Sequence, residues 1–252
     1  MTWPNAAVLV IGDEILSGRT QDTNLAVIAR FLGPFGIDLA EARFVRDVQA
    51  EIVAALNELR ARYTYVFTTG GIAPPHDDIT ADAIGAAFGV PVEHHPEAMA
   101  LLAARYQPGE FNERRQRMAR IPEGGTLIKN PVSVAPGFQI GNVFVLAGVP
   151  KIMQAMLEDV AGRLARGVPV ISRSLTVSLA EGTIAEGLAA IQAAHPAVTI
   201  GSYPFFAGIL SPASGRVRMG TTLVIRGREE SEVEAAAAKI VTLAGGFGVN
   251  PS

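Results

Sequence analysis

At 252 residues, with 49% hydrophobic and 18% charged side chains, the chain is long enough to bury its own core and falls outside the disordered and fibrous classes. A net charge of −3 with no dense basic stripe excludes a nucleic-acid footprint, so a bound phosphate must be held by a few local groups and backbone N–H donors. The absence of cysteine excludes disulfides, thiolate metal sites and cysteine nucleophiles, and it points to a reducing cytoplasm.

The start carries no positive n-region, and the apolar run over 6–11 is too short for a signal core before Asp13 and Glu14. Residues 130–150 and 187–215 contain no Asp, Glu, Lys or Arg, but Pro131, Pro136, Pro196, Pro204 and Pro212 interrupt them. Such stretches read as buried strands and loops, so no membrane partner is expected.

The run AAVLVI over 6–11 predicts a strand buried on both faces of a parallel sheet, followed by a polar loop. Leu25, Ile28 and Leu32 recur at helical spacing up to Gly33-Pro34. Residues 37–45 read as a second strand, and Asp47 as the N-cap of a helix bearing Val48, Ile52, Leu56 and Leu59. A third strand over 65–69 ends in Gly70-Gly71. A helix carrying Ile79, Ile84, Ala87 and Phe88 and a short strand over 90–93 come next. This alternation predicts a doubly wound α/β sheet.

Residues 96–120 have a helical pattern that ends in the basic segment NERRQRMAR. Strands over 138–140 and 143–146 form a hairpin about Gly141-Asn142, and Pro150 opens a helix carrying Ile152, Met153, Met156 and Leu157. Gly167 to Pro169 reads as a linker, which gives domains of 1–166 and 170–252. The second is a small α/β unit: strands over 173–179, 198–202 and 217–225, helices over 182–194 and 229–243.

Two loops leave strand ends and carry carboxylates. The first holds Gly12, Asp13, Glu14, Ser17, Asp22 and Asn24; the second runs from Gly70 and Gly71 through His76, Asp77 and Asp78 to Thr80. In an open α/β sheet, ligands sit beyond the carboxyl ends of the strands, where such loops converge. The glycines allow close backbone approach, and the next helix start offers unpaired N–H groups to a phosphate. Asp13, Glu14, Asp77 and Asp78 around an anion make sense with a bridging divalent cation, Mg²⁺ or Mn²⁺. The competing assignment is structural: Asp22, Asp77 or Asp78 as helix caps, Asp13 and Glu14 as solvated charges.

GDEILSGRTQDTN at 12–24, TGGIAPPHDDIT at 69–80, NPVSVAPGF at 130–138 and LAGVP at 146–150 occur in this order. Together they resemble the molybdopterin-binding domain of the MoaB/Mog type, in the branch of competence/damage-inducible protein CinA. They are also similar to the N-terminal domain of eukaryotic-type FAD synthases. The resemblance implies a three-layer α/β/α fold, followed by a small α/β sandwich domain. It also implies a phosphorylated pterin, molybdopterin included, or an adenine-nucleotide ligand in the cleft. Relatives in this branch are associated with metal-dependent hydrolysis of ADP-ribose or FAD. On matching positions, Asp13, Glu14, Asp77 and Asp78 become the metal-holding and catalytic set, with Gly12, Ser17, Asn24, Gly70, Gly71, Thr80 and Lys151 contacting the ligand. Two departures stand out: Ala73 and Pro75 replace glycine and threonine of the GGxGPTxDD pattern, and Ala147 replaces proline of LPGxP.

The function expected is a divalent-metal-dependent pyrophosphohydrolase of ADP-ribose or FAD type. The alternatives are a molybdopterin- or nucleotide-binding protein without turnover, and a regulatory protein that senses through the same cleft. Nicotinamide-nucleotide deamidation and FAD synthesis are not expected, because no matching further domain follows. A homo-oligomer is compatible with the sequence. His94 and His95, adjacent before Pro96, read as a strand end rather than a metal pair. The arginines at 114, 115, 117 and 120 read as a solvated helix face ahead of a phosphate clamp. Lys151 at a helix start favours a bound anion. Ser17 and Ser133 lack a base at motif spacing, so a serine triad is not expected.

Overall fold

A computed structural model of the chain describes residues 3–71, 79–107, 109–207 and 218–252. Two compact units divide the chain at Gly167 and Val168. No described helix is long and apolar enough to cross a membrane.

The first unit opens with β1 (Asn5–Ile11), one helical turn α1 (Asp13–Leu16) and α2 (Asn24–Leu32). Then follow β2 (Asp38–Val45), α3 (Gln49–Arg62), β3 (Tyr65–Thr69) and α4 (Thr80–Phe88). After these come β4 (Val92–His94), α5 (Pro96–Ala103), a turn α6 (Glu113–Gln116), β5 (Arg120–Pro122) and β6 (Thr126–Ile128). The unit closes with the hairpin β7 (Gly137–Ile140) and β8 (Val143–Leu146), then α7 (Pro150–Val160).

Six strands form one sheet in the order β2-β1-β3-β8-β7-β6. The first four run parallel, while β7 pairs antiparallel with both β8 and β6. Successive side chains of β1 point to opposite faces, and both faces are buried. Ala6, Val8 and Val10 pack with Ile28 of α2 and Met153 of α7. Ala7, Leu9 and Ile11 pack with Ile52 and Leu56 of α3 and Ile84 of α4. Burying each such side chain stabilises by about 1.5–3 kcal/mol, which is why β1 is an unbroken apolar run. The result is the three-layer α/β/α arrangement.

Several local expectations change. Asp47 does not cap α3: Val48 holds the cap position without a side-chain bond, and Asp47 Oδ2 instead accepts from the Asp13 amide at 2.9 Å. The carboxylate is drawn across to the loop after β1. Asp22, by contrast, does cap, accepting from the Leu25 amide at 3.0 Å. The helical pattern over 96–120 breaks up into α5, α6 and a 3₁₀ turn, and its end becomes β5, paired antiparallel with β4. Gly109, at φ 87°, lies in the break between α5 and α6. His94 ends β4, and the His95 ring accepts from the Ala98 amide at the start of α5, so both serve local structure.

The second unit contains β9 (Ile171–Val177), α8 (Glu181–Ala194), β10 (Val198–Ala207), β11 (Arg218–Gly227) and α9 (Glu230–Gly246). Its antiparallel sheet has the order β10-β11-β9. Leu175, Val177, Leu223 and Ile225 point to the side covered by Ile184 of α8 and Val233 and Ile240 of α9. Ser252 adds a short extension to the edge: its amide and carbonyl both bond Thr176, at 3.0 and 2.8 Å.

Candidate functional site

Three parallel strand ends meet beyond the sheet of the first unit, and their contact is backbone on backbone. Gly70 lies at φ 100°, and a Cβ there would stand 2.0 Å from the Ile11 carbonyl oxygen at the end of β1. A Cβ on Gly148, after β8, would come within 3.1 Å of the Gly70 Cα. Gly71, at φ 65°, leaves the same small space to the Thr80 hydroxyl that opens α4, 1.9 Å from where its Cβ would be. Only glycine satisfies both the torsions and the clearances, so the loops close into a floor made almost wholly of main chain.

Over this floor lies a cleft of about 370 Å³. The loop after β1 supplies Glu14, Ile15 and residues 20–24; the ends of β3 and β8 supply Gly70, Gly71, Gly148, Val149 and Pro150. Asn24, the first residue of α2, is 4% exposed. Its Nδ2 donates to the Gly148 carbonyl at 2.7 Å and ties α2 to the β8 loop. That acceptor fixes the amide orientation, because a carbonyl oxygen cannot donate. Asn24 Oδ1 is therefore the other end of the amide, and it is buried with no partner among the described residues. An unpaired buried acceptor costs about 1–3 kcal/mol and is retained only where something else uses it.

The start of α7 also borders this cleft. Pro150 holds its first position, no side chain caps it, and its first turn carries no acid. Pro150 has no N–H, and the Ile152 and Met153 amides donate to the Val149 carbonyl at 3.0 and 2.9 Å, so this terminus offers the Lys151 amide and the positive end of an eleven-residue helix dipole. Glu14 is the carboxylate opposite; its oxygens stand 2.6 and 2.8 Å from where a Cβ of Gly12 would be.

Of the residues singled out in the sequence, Glu14, Asp22, Asn24, Gly70 and Gly71 line the cleft. Thr80 touches Gly71, and its hydroxyl lies 3.5 Å from the Gly70 carbonyl. Gly12 lies beneath Glu14 and donates its amide to Val45 of β2 at 3.1 Å. Asp13 and Ser17 are not among the lining residues: the Asp13 amide is turned to Asp47, and Ser17 Oγ donates to the Glu14 carbonyl at 3.2 Å. Lys151 is exposed on α7. Asp77 and Asp78, with His76, lie outside the described residues. Among the described residues no three His, Asp or Glu side chains cluster as a metal site. Sequence reasoning placed Gly148, Val149 and Pro150 in the LAGVP motif and read Pro150 as a helix start, but assigned them no place in the site, although a glycine two residues before a helix-opening proline was a readable sign of a tight strand-to-helix turn.

A second cavity of about 350 Å³ shares Val149 as a lining residue. Its wall includes the loop held by Asn130, which donates to Ser133 Oγ and the Ala135 carbonyl at 2.6 and 2.8 Å and accepts from the Val132 and Ser133 amides at 3.0 and 3.1 Å. Within that loop Val134 has φ 71°, a left-handed conformation that a β-branched residue seldom adopts.

Comparison with known proteins follows the two units. Residues 7–166 match the family model described as "Probable molybdopterin binding domain", and residues 169–250 match the "FAD synthase, middle domain". A protein of Pyrobaculum calidifontis is 31% identical over 251 residues, covering 95% of each chain. A CinA-like protein of Citrifermentans bemidjiense is 38% identical over 191 residues, which is 71% of this chain but 46% of that one. Another, from Syntrophotalea carbinolica, is aligned over 39% of its own length, so the chain spans less than half of these CinA-like relatives. The crystal structure of the protein CinA, of unknown function, from Thermoplasma acidophilum superposes with a TM-score of 0.60 at 34% identity, covering 63% of this chain and 96% of that one.

Proposed function

The chain belongs to the molybdopterin-binding domain family, and from that premise we propose that the cleft over Gly70, Gly71 and Gly148 binds the phosphate end of a phosphorylated pterin or adenine nucleotide. The observation that carries this reading is Asn24 Oδ1, buried and unpartnered on the cleft wall. The uncapped start of α7 and the side-chain-free floor favour an anion against main-chain donors. Asn24 Oδ1 then accepts from a donor on the ligand or from water held by it.

A divalent cation fits the donor chemistry in part. Glu14, Asp22 and Asn24 Oδ1 are among the oxygen donors on the described wall, Asp22 already accepting from the Leu25 amide, and Asp77 and Asp78 are the further donors the motif suggests. Mg²⁺ keeps several waters and needs only one or two carboxylates beside substrate phosphates. Such an ion would offset the repulsion between Glu14 and a pyrophosphate and polarise a phosphoryl oxygen. On this reading the reaction is pyrophosphate hydrolysis in an ADP-ribose or FAD type of substrate. Gly70 and Gly71 admit the phosphate to the main chain, and Asn24 orients it.

Binding without turnover is the second reading. Pro75 offers neither hydroxyl nor N–H where the related pattern has threonine, which favours it. Calorimetric titration with ADP-ribose, FAD and inorganic pyrophosphate, in Mg²⁺ and in chelator, tests the cleft. Binding that Asn24→Leu leaves unchanged would overturn it. Metal-stimulated phosphate release over the same compounds separates catalyst from binder.

A further inference from the structure

The second cavity lined by Val149 has a character the phosphate cleft lacks. Its floor and walls are apolar: Met118, Ile121, Pro136, Phe138, Ile152 and Met156. All of its charged lining residues are arginines, Arg105, Arg117 and Arg120, and no described carboxylate lines it. Arg120 is held in place by two hydrogen bonds to Asp82 at 2.8 and 2.7 Å. Arg105 is exposed at the rim and forms no ion pair among the described residues. Tyr106 is fixed as a wall, with the Arg115 guanidinium 4.3 Å over its ring and Phe111 parallel to it at 5.9 Å. Asn130 spends its whole amide on the opposite wall, where Val134 is strained. Strain held by a fully bonded side chain marks a shape that the surroundings maintain, and it clusters at ligand sites.

We propose that this cavity takes the planar aromatic end of an anionic ligand, with the arginine rim on its negative charge. It is then the ring half of a site whose phosphate half is the neighbouring cleft. The inference rests on the reading of that cleft given above. Three features favour it. A volume of about 350 Å³ lies at the low end for ligand pockets, enough for one ring system but not for a whole dinucleotide. Apolar walls with the Arg105 guanidinium at the rim, and Arg120 shared with Asp82, suit a flat heteroaromatic ring bearing phosphate more than a sugar or a cation. Val149 borders both cavities, so one ligand can pass from ring to phosphate across a single residue. The segment from α5 to β5 supplies the arginines and Tyr106, which makes it the element that selects the ring.

The test is calorimetric titration of the full chain with inorganic pyrophosphate, AMP, ADP-ribose and FAD, in Mg²⁺. At least one ring-bearing compound is expected to bind about tenfold or more tighter than pyrophosphate, the scale of a buried aromatic contact. Ala135→Leu, which fills the cavity, is expected to remove that advantage and leave pyrophosphate affinity intact. Arg105→Gln, a rim change that leaves the core untouched, is expected to weaken the same ring compound severalfold. If no ring compound exceeds pyrophosphate, or if folded Ala135→Leu binds it as the parent does, the ring site is wrong while the cleft stands. If Ala135→Leu does not fold, unchanged binding by Arg105→Gln overturns the proposal instead. Should Asn24→Leu leave every affinity unaltered while the cavity variants act, the cleft reading fails and the cavity stands alone.

Discussion

The two sides of the phosphate cleft are built by different means. On the side of β3 and β8, Gly70 meets the Ile11 carbonyl and Gly71 the Thr80 hydroxyl with clearances and torsions that only glycine satisfies, and Gly148 packs tightly on the Gly70 main chain. On the side of β1, the loop from Gly12 to Thr23 is mostly exposed and is held by side-chain bonds: Asp47 to the Asp13 amide, Ser17 to the Glu14 carbonyl, Asp22 to the Leu25 amide. Gly18 in that loop has φ 73° with nothing within 4 Å of where a Cβ would be. One side is a fixed mould and the other an adjustable fringe. Shape is set where no side chain fits; charge is supplied where side chains have room.

The largest effect is expected where the mould is broken. Gly70→Ala places a methyl against the Ile11 carbonyl and forces a non-glycine residue to φ 100°. Strain and overpacking together should cost about 3–5 kcal/mol, read as a lowered denaturant midpoint, with ligand affinity lost in whatever fraction folds. A Gly70→Ala protein as stable as the parent would mean that the β1 and β3 ends part easily and the floor is not fixed.

Asn24 joins the two sides, and its replacement should separate stability from function. Asn24→Leu loses the bond to the Gly148 carbonyl but also removes a buried unpaired oxygen. These terms oppose each other, so stability should change by less than about 1 kcal/mol. Pyrophosphate affinity should fall about tenfold, near 1.4 kcal/mol. A large stability loss with unchanged affinity would make Asn24 a structural tie and nothing more. On the fringe, Asp22→Ala removes a cap and should cost about 1 kcal/mol by thermal unfolding.

The sequence carried the mould's outline because buried parallel strands leave an unmistakable apolar run, as β1 does with every residue from Ala6 to Ile11 buried. It missed β5 and β6, each three residues long, because so short a strand shows no periodicity. It assigned Asp47 to the helix beside it, since a local cap is what sequence spacing can suggest; the bond to Asp13 spans 34 residues and belongs to the fold. Glu14, Asn24, Gly70 and Gly71 were legible through ordered motifs. Gly148 was legible as a tight turn before Pro150 but not as part of the floor, because its clearance from Gly70 is a contact across 78 residues that no local pattern encodes. The arginines at 114, 115, 117 and 120 were read as a solvated face, and Arg114 and Arg117 are exposed, whereas Arg115 packs on Tyr106 and Arg120 bonds Asp82.

The smallest expected effect is also the sharpest check on the difference between mould and fringe. Gly18 and Gly70 both have positive φ, so torsion alone would make alanine similarly costly at each. Their surroundings differ: Gly70 has a carbonyl oxygen 2.0 Å from a would-be methyl, whereas Gly18 has open space. Gly18→Ala therefore bears only the left-handed backbone penalty of about 1–2 kcal/mol, partly offset by the lower entropy of the unfolded chain, worth about 0.4–1 kcal/mol. The net loss should be about 1 kcal/mol or less, with pyrophosphate affinity unaltered because Gly18 does not line the cleft. Gly18→Asn should come nearer still to the parent, since asparagine tolerates this conformation. Thermal unfolding of Gly18→Ala, Gly18→Asn and Gly70→Ala under one buffer gives the comparison directly. Equal losses at positions 18 and 70 would show that torsion, not backbone contact, dictates glycine at Gly70, and the rigid floor would lose its physical basis.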